Sequence, residues 1–168
     1  MTYATTLKAI ATAALDYHSR GMLGYQNPEN REANLCRYLY PDGRRCAIGA
    51  GLPLETAEAI TRWENRLGVD VVFAVGDLLN DRTIEITDDY SHMPGNGSRM
   101  SAELQGAHDD LVVDCLDDDE RFIREAKLAY LLTELAAGRK PMGGDILAAQ
   151  ERAASEFSRN NPGYGDDE

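Results

Sequence analysis

LCRYLYPDGRRCAIGAGLP, residues 35–53, is the stretch on which the reading of the fold turns. Cys36 to Tyr40 and Cys46 to Ile48 hold residue types that suit a pleated strand, and Pro41-Asp42-Gly43 lies between them. Pro41 presets the φ of a type I turn, Asp42 suits the next position, and Gly43 can take the left-handed conformation that closes a three-residue loop. The expected element is one short β-hairpin over about residues 35–48. Its register would set Tyr40 opposite Arg44 and Tyr38 opposite Cys46. Cys36 and Cys46 would then share a face as diagonal neighbours, about 7 to 8 Å apart and beyond the reach of a disulfide.

Outward from this segment the pattern is helical. Tyr3, Leu7, Ile10, Ala11, Ala14 and His18 recur at steps of three and four, which predicts a helix over 3–19. GYQNPENREAN (24–34) reads as a loop. Pro53 suits a first helical turn, and a helix over 53–67 should bury Trp63. Residues 69–80 are an apolar run that reads as helix, 83–87 alternate like a short strand, and 88–100 are rich in turn formers. Ser101 is placed to cap a helix through Val112, Glu120 to Ala137 make a broad apolar helix suited to the centre of the core, and Asp145 is placed to cap a last helix. The expectation is a mainly helical α+β domain over 1–157, followed by a flexible acidic tail over 158–168.

Composition limits what such a domain can do. The 168 residues, 43% of them hydrophobic, suffice for one core. Net charge is −12, with a pI near 4.6, which argues against direct binding to nucleic-acid phosphates or anionic lipid and points to basic partners. The imbalance is one-sided: residues 1–68 carry net +1 and residues 69–168 net −13. No run approaches the roughly 20 apolar residues of a membrane span, and the first residues lack a signal-peptide pattern, so a cytoplasmic protein is expected.

Two groups of residues could carry function. Asp109, Asp110, Asp114, Asp117, Asp118, Asp119 and Glu120 form a run with no Lys or Arg among them. One reading is a solvated loop leading into a helix whose dipole favours acids in its first turn; the other is an acidic surface for a basic partner. The second group is Cys36, Cys46 and His108, the raw material of a metal or thiol site. The nine-residue gap between the cysteines is not the short spacing of structural zinc sites, so reduced, neighbouring, metal-free thiols and no cofactor are expected. Cys115 is left without a partner. His108 beside Asp109 is not a dyad by sequence, because successive helix positions diverge. Gly49-Ala50-Gly51 before a helix has the outline of an anion cradle, but it lacks the further residues of a dinucleotide or P-loop fingerprint.

Cys36 to Pro53, written C-x₉-C-A-I-G-x-x-L-P, together with LQGAHDDL at 104–111, resembles a group of small uncharacterised proteins of phages, prophages and bacteria. That group carries a Cys, a hairpin, C-A-[IV]-G-x-L-I-P and an L-Q-x-x-H-D segment. This chain departs from it by one extra residue in GAGLP. The resemblance implies origin in a mobile element and supplies no activity. With the charge, it leads to the expectation of a phage-type inhibitor of a host nucleic-acid-handling defence system, such as a CRISPR or restriction complex. It would bind a basic host protein or nucleoprotein complex through the acidic run. The alternative is a small metal- or thiol-dependent enzyme centred on Cys36, Cys46 and His108.

Overall fold

The computed structural model describes residues 2–32, 36–66, 75–88, 90, 100–113 and 116–162. Among them eight helices and two strands follow in the order β1 (Tyr3–Thr6), α1 (Leu7–Ser19), α2 (Pro28–Glu32), α3 (Ala47–Ala50), α4 (Leu54–Arg66), α5 (Val75–Asn80), β2 (Ile84–Thr87), α6 (Met100–Val112), α7 (Asp118–Ala136) and α8 (Gly143–Asn160). This is the mainly helical α+β class. None of these helices is long and apolar enough to cross a membrane.

α1 begins four residues later than its periodicity suggests. Tyr3–Thr6 extends instead, pairing in parallel with β2 so that Tyr3 lies opposite Ile84 and Thr6 opposite Thr87. The helix starts where two side chains take its first orphan amides: Thr6 Oγ1 accepts from Ala9 N at 3.0 Å, and Asp88 Oδ1 accepts from Leu7 N at 2.8 Å. Asp88 has φ +49°, a left-handed conformation that Asp tolerates better than most residues. The strand expected at 83–87 is thus present, and its partner is the start of the chain.

The hairpin is not. Tyr40 N donates to Arg44 O at 2.9 Å and Gly43 N to Tyr40 O at 3.0 Å, with Gly43 at φ +83°, so the chain reverses where the Pro-Asp-Gly turn predicts. Beyond the turn Cys46 N reaches Arg37 O rather than Tyr38. Arg45 looks the other way, its N–H donating to Met22 O and its carbonyl accepting from Gly24 N. The second arm divides its backbone bonds between two neighbours and then enters α3, so no strand ladder forms over 36–48; Leu35 lies outside the described residues.

Gly49 and Gly51 are not an anion cradle. A Cβ on Gly49 would sit 2.2 Å from Tyr38 O, and one on Gly51 would sit 2.6 Å from Ile10 Cα. These glycines let α3 press against the 36–40 arm and α1. The 24–34 segment, expected as loop, contains a 3-10 turn at Gly24–Gln26 and α2, with Pro28 as its first residue.

The core gathers round α7, which packs against α1, α6 and α8. Leu128, Leu131, Leu132 and Leu135 of α7 meet Leu7, Ile10, Ala11 and Ala14 of α1, and α8 adds Ile146, Ala149 and Ala153. Trp63 is not buried as its helical spacing implies. It is 40% exposed and lines a groove with Tyr3, Ile60 and Arg82. α8 continues through Asn160, so the first residues of the expected tail are helical, and 163–168 lie outside the described residues.

Candidate functional site

Cys36 emerges from the arm before the turn, Cys46 stands where that turn meets α3, and His108 sits in the third turn of α6. Folding brings them together. Cys36 Sγ lies 3.6 Å from His108 Nδ1, although 72 residues separate them in the chain. Both are buried, at 5% and 0% exposure, and both cysteines are free thiols. Cys46 Sγ accepts from Gly49 N at 3.2 Å, the first-turn bond that begins α3. The buried His108 ring stands edge-to-face with Tyr25, with centroids 5.7 Å apart.

α6 contributes two further residues from the same side. Gln105 and Asp109 are one turn apart, and the Gln105 amide Nε2 donates to Cys36 Sγ at 2.9 Å and to Asp109 Oδ1 at 2.5 Å. The Asp109 carboxylate is thereby turned back along the helix until Oδ1 is 3.5 Å from His108 Nδ1. Adjacent helical positions do approach here, against the expectation, because Gln105 steers one of them. Gln105 escaped the sequence reading, though its i,i+3 and i,i+4 relation to His108 and Asp109 was available as a signal. Gln105 Oε1 also accepts from Ile48 N at 3.4 Å, tying α6 to α3.

Electrostatics in this pocket disfavour a reactive thiolate. Burial, then the neighbouring Cys46 thiol and the Asp109 carboxylate, push the Cys36 thiol well above its ordinary range. Tyr40 is raised too, by burial first and then by the two thiols. A nucleophilic cysteine needs the opposite surroundings.

The acidic run is dispersed by the fold. Asp109 faces the thiols, and Glu120 pairs with Arg124 one turn along α7. Asp110, Asp117 and Asp118 are exposed, Asp119 is half-buried, and Asp114 and Cys115 lie outside the described residues. Asp117 is the N-cap residue of α7, with Asp118, Asp119 and Glu120 in its first turn, where the helix dipole stabilises negative charge. Basic groups missing from the run arrive just after it. Arg121 donates to Leu111 O and Val113 O, and Arg124 to Asp110 O, so α7 caps the end of α6.

The residues that carry the resemblance, Cys36 and Cys46 in one patch and Gln105, His108 and Asp109 in the other, are therefore the ones that meet in space. The chain itself matches no protein-family model, no curated protein and no solved structure.

Proposed function

We propose that the protein works by binding, as a phage-type inhibitor of a host nucleic-acid-handling defence system, and that its acidic α6–α7 corner occupies a basic site on the target. The observation that carries this reading is the exposure of Asp110, Asp117 and Asp118 at one corner, in a half-chain of net −13. A site lined with Lys and Arg for phosphate attracts such carboxylates and releases them as salt rises. Asp109 and Glu120, engaged within the fold, are left out of the binding set.

The test expresses the protein in bacteria that carry a defined CRISPR or restriction system and measures phage plating. Plating should rise with the natural protein. It should fall back when Asp110, Asp117 and Asp118 are all changed to Asn, with the melting temperature little altered, because exposed substitutions usually shift stability within about 0.5 kcal/mol each. No rise in plating with the natural protein, or an undiminished rise with the triple variant, refutes the reading.

A second reading, the small metal- or thiol-dependent enzyme, is favoured by the contact between Cys36 and His108. Closure of the pocket and the raised Cys36 thiol count against thiol catalysis there. Slow alkylation of Cys36 in the folded protein by iodoacetamide, located by peptide mass, agrees with that view; rapid modification of Cys36 would restore the enzyme.

A further inference from the structure

We propose that Cys36, His108 and Asp109 together form a site for one divalent cation of the zinc class, independently of any role of the acidic corner. Cys36 Sγ, His108 Nδ1 and an Asp109 carboxylate oxygen all lie within 4.8 Å of one another. In a tetrahedral site with Zn–S about 2.3 Å and Zn–N and Zn–O about 2.0 to 2.1 Å, the sulfur–nitrogen edge is about 3.6 Å and the nitrogen–oxygen edge about 3.3 Å. The corresponding separations here are 3.6 Å and 3.5 Å. Two edges of one tetrahedral face are close to their final length before any cation enters, and the third, sulfur to oxygen, lies within 4.8 Å.

The fourth corner is open to water; Cys46 adjoins Cys36 but does not belong to the set of mutually close ligand atoms. One sulfur, an imidazole and one carboxylate suit a borderline-soft metal, whereas magnesium and calcium take oxygen ligands. The surroundings suit ligands that carry negative charge. Gln105 directs both amide protons at the set, one to Cys36 Sγ and one to Asp109. Donors of this kind orient first ligands and temper their charge. As the cation enters, the Cys36 thiol proton passes to water, and no oxidant or reductant is consumed. Asp109, whose side chain is 37% exposed, gives the side of approach.

The short spacing rule for zinc cysteines does not apply to this arrangement. It describes two ligands on one tight knuckle, whereas here one thiol comes from the arm before the Pro-Asp-Gly turn and the other two ligands from α6. A bound cation would clamp the 36–50 segment to α6, a tie between parts of the chain about 70 residues apart.

Cobalt(II) chloride titrated into the full chain, kept reduced by a phosphine, provides the test. One equivalent should produce a near-ultraviolet thiolate-to-cobalt band and the intense visible bands of tetrahedral cobalt, and one equivalent of zinc chloride should erase both. Cys36→Ser should lose most of the thiolate band. Asp109→Asn, at a half-exposed position that tolerates change, should remain folded by circular dichroism and bind at least about tenfold more weakly. Gln105→Ala should weaken binding by about 10- to 100-fold. A folded, reduced natural protein with no thiolate band at several equivalents overturns the proposal, as does unchanged cobalt affinity in folded Asp109→Asn. The pale octahedral spectrum of cobalt on surface carboxylates would also count against it.

Discussion

Gly49 shows how much one missing methyl group can control. Its Cα faces the Tyr38 carbonyl so closely that a Cβ would meet the oxygen at 2.2 Å, and the obstacle is backbone, which cannot rotate aside. Gly49→Ala should therefore destabilise by about 1 to 3 kcal/mol or more, measured by urea unfolding, and should loosen the bond from Gly49 N to Cys46 Sγ. Asp42 makes a different kind of point. Burial works to raise its carboxyl, but hydrogen bonds from Asn27 and from the Arg44 backbone and side chain, with the Arg44 charge, hold it below its ordinary value. A carboxylate depressed on folding contributes stability above its unfolded pKa of about 4, and that contribution disappears as pH falls through the lower folded value. Asp42→Asn should accordingly lower the melting temperature at pH 7, with the gap from the natural protein closing in more acid solution. A gap that stays constant across the titration would show that the carboxylate charge is not what holds the turn.

Among the elements, α1 depends on a cap supplied from 81 residues away. Asp88 Oδ1 takes the Leu7 amide, and Asp88 must stand in a left-handed conformation to do so. Asp88→Ala removes the acceptor and leaves a poorer left-handed residue, so a loss of about 1 to 2 kcal/mol is expected, while Asp88→Asn should keep most of the stability. Thermal unfolding of the two variants decides it; equal losses would place the effect in charge rather than in the cap. The same element shows where sequence reading works. Leu7, Ile10, Ala11 and Ala14 were legible because helical periodicity is local, and the helices at α4, α6, α7 and α8 follow from the same signal. The strand Tyr3–Thr6 was hidden, since its extended state comes from pairing with residues far along the chain. At 36–48 the turn was legible and the ladder was not: the bonds from Arg45 to Met22 and Gly24 that divert the second arm are tertiary. Of the cluster, Cys36, Cys46 and His108 could be named as residue types that belong together. Gln105 and Asp109 acquire their part only once α6 is seen to face the turn.

At the scale of the whole molecule, α7 is the element that the others share, and its buried leucines touch the core made by α1, α6 and α8. Amide exchange should be slowest in the middle of α7 and in the facing turns of α1, and faster in α2 and the last turn of α8. Equal protection of α8's end and α7's middle would contradict a core centred there. The pairing of Tyr3 with Ile84 has a consequence for how the molecule comes into being. The first strand leaves the ribosome with no partner in existence, and at about 5 to 20 residues per second the second follows roughly 4 to 16 seconds later. For that interval Tyr3–Thr6 is a bare strand edge, open to whatever extended segment it meets. Its first turn of helix also lacks the Asp88 cap. Nascent chains halted before residue 84 should therefore be far more easily cut by protease within Tyr3–Thr6 than chains in which residues 84–88 have cleared the ribosome, so that this strand is secured long after it is made.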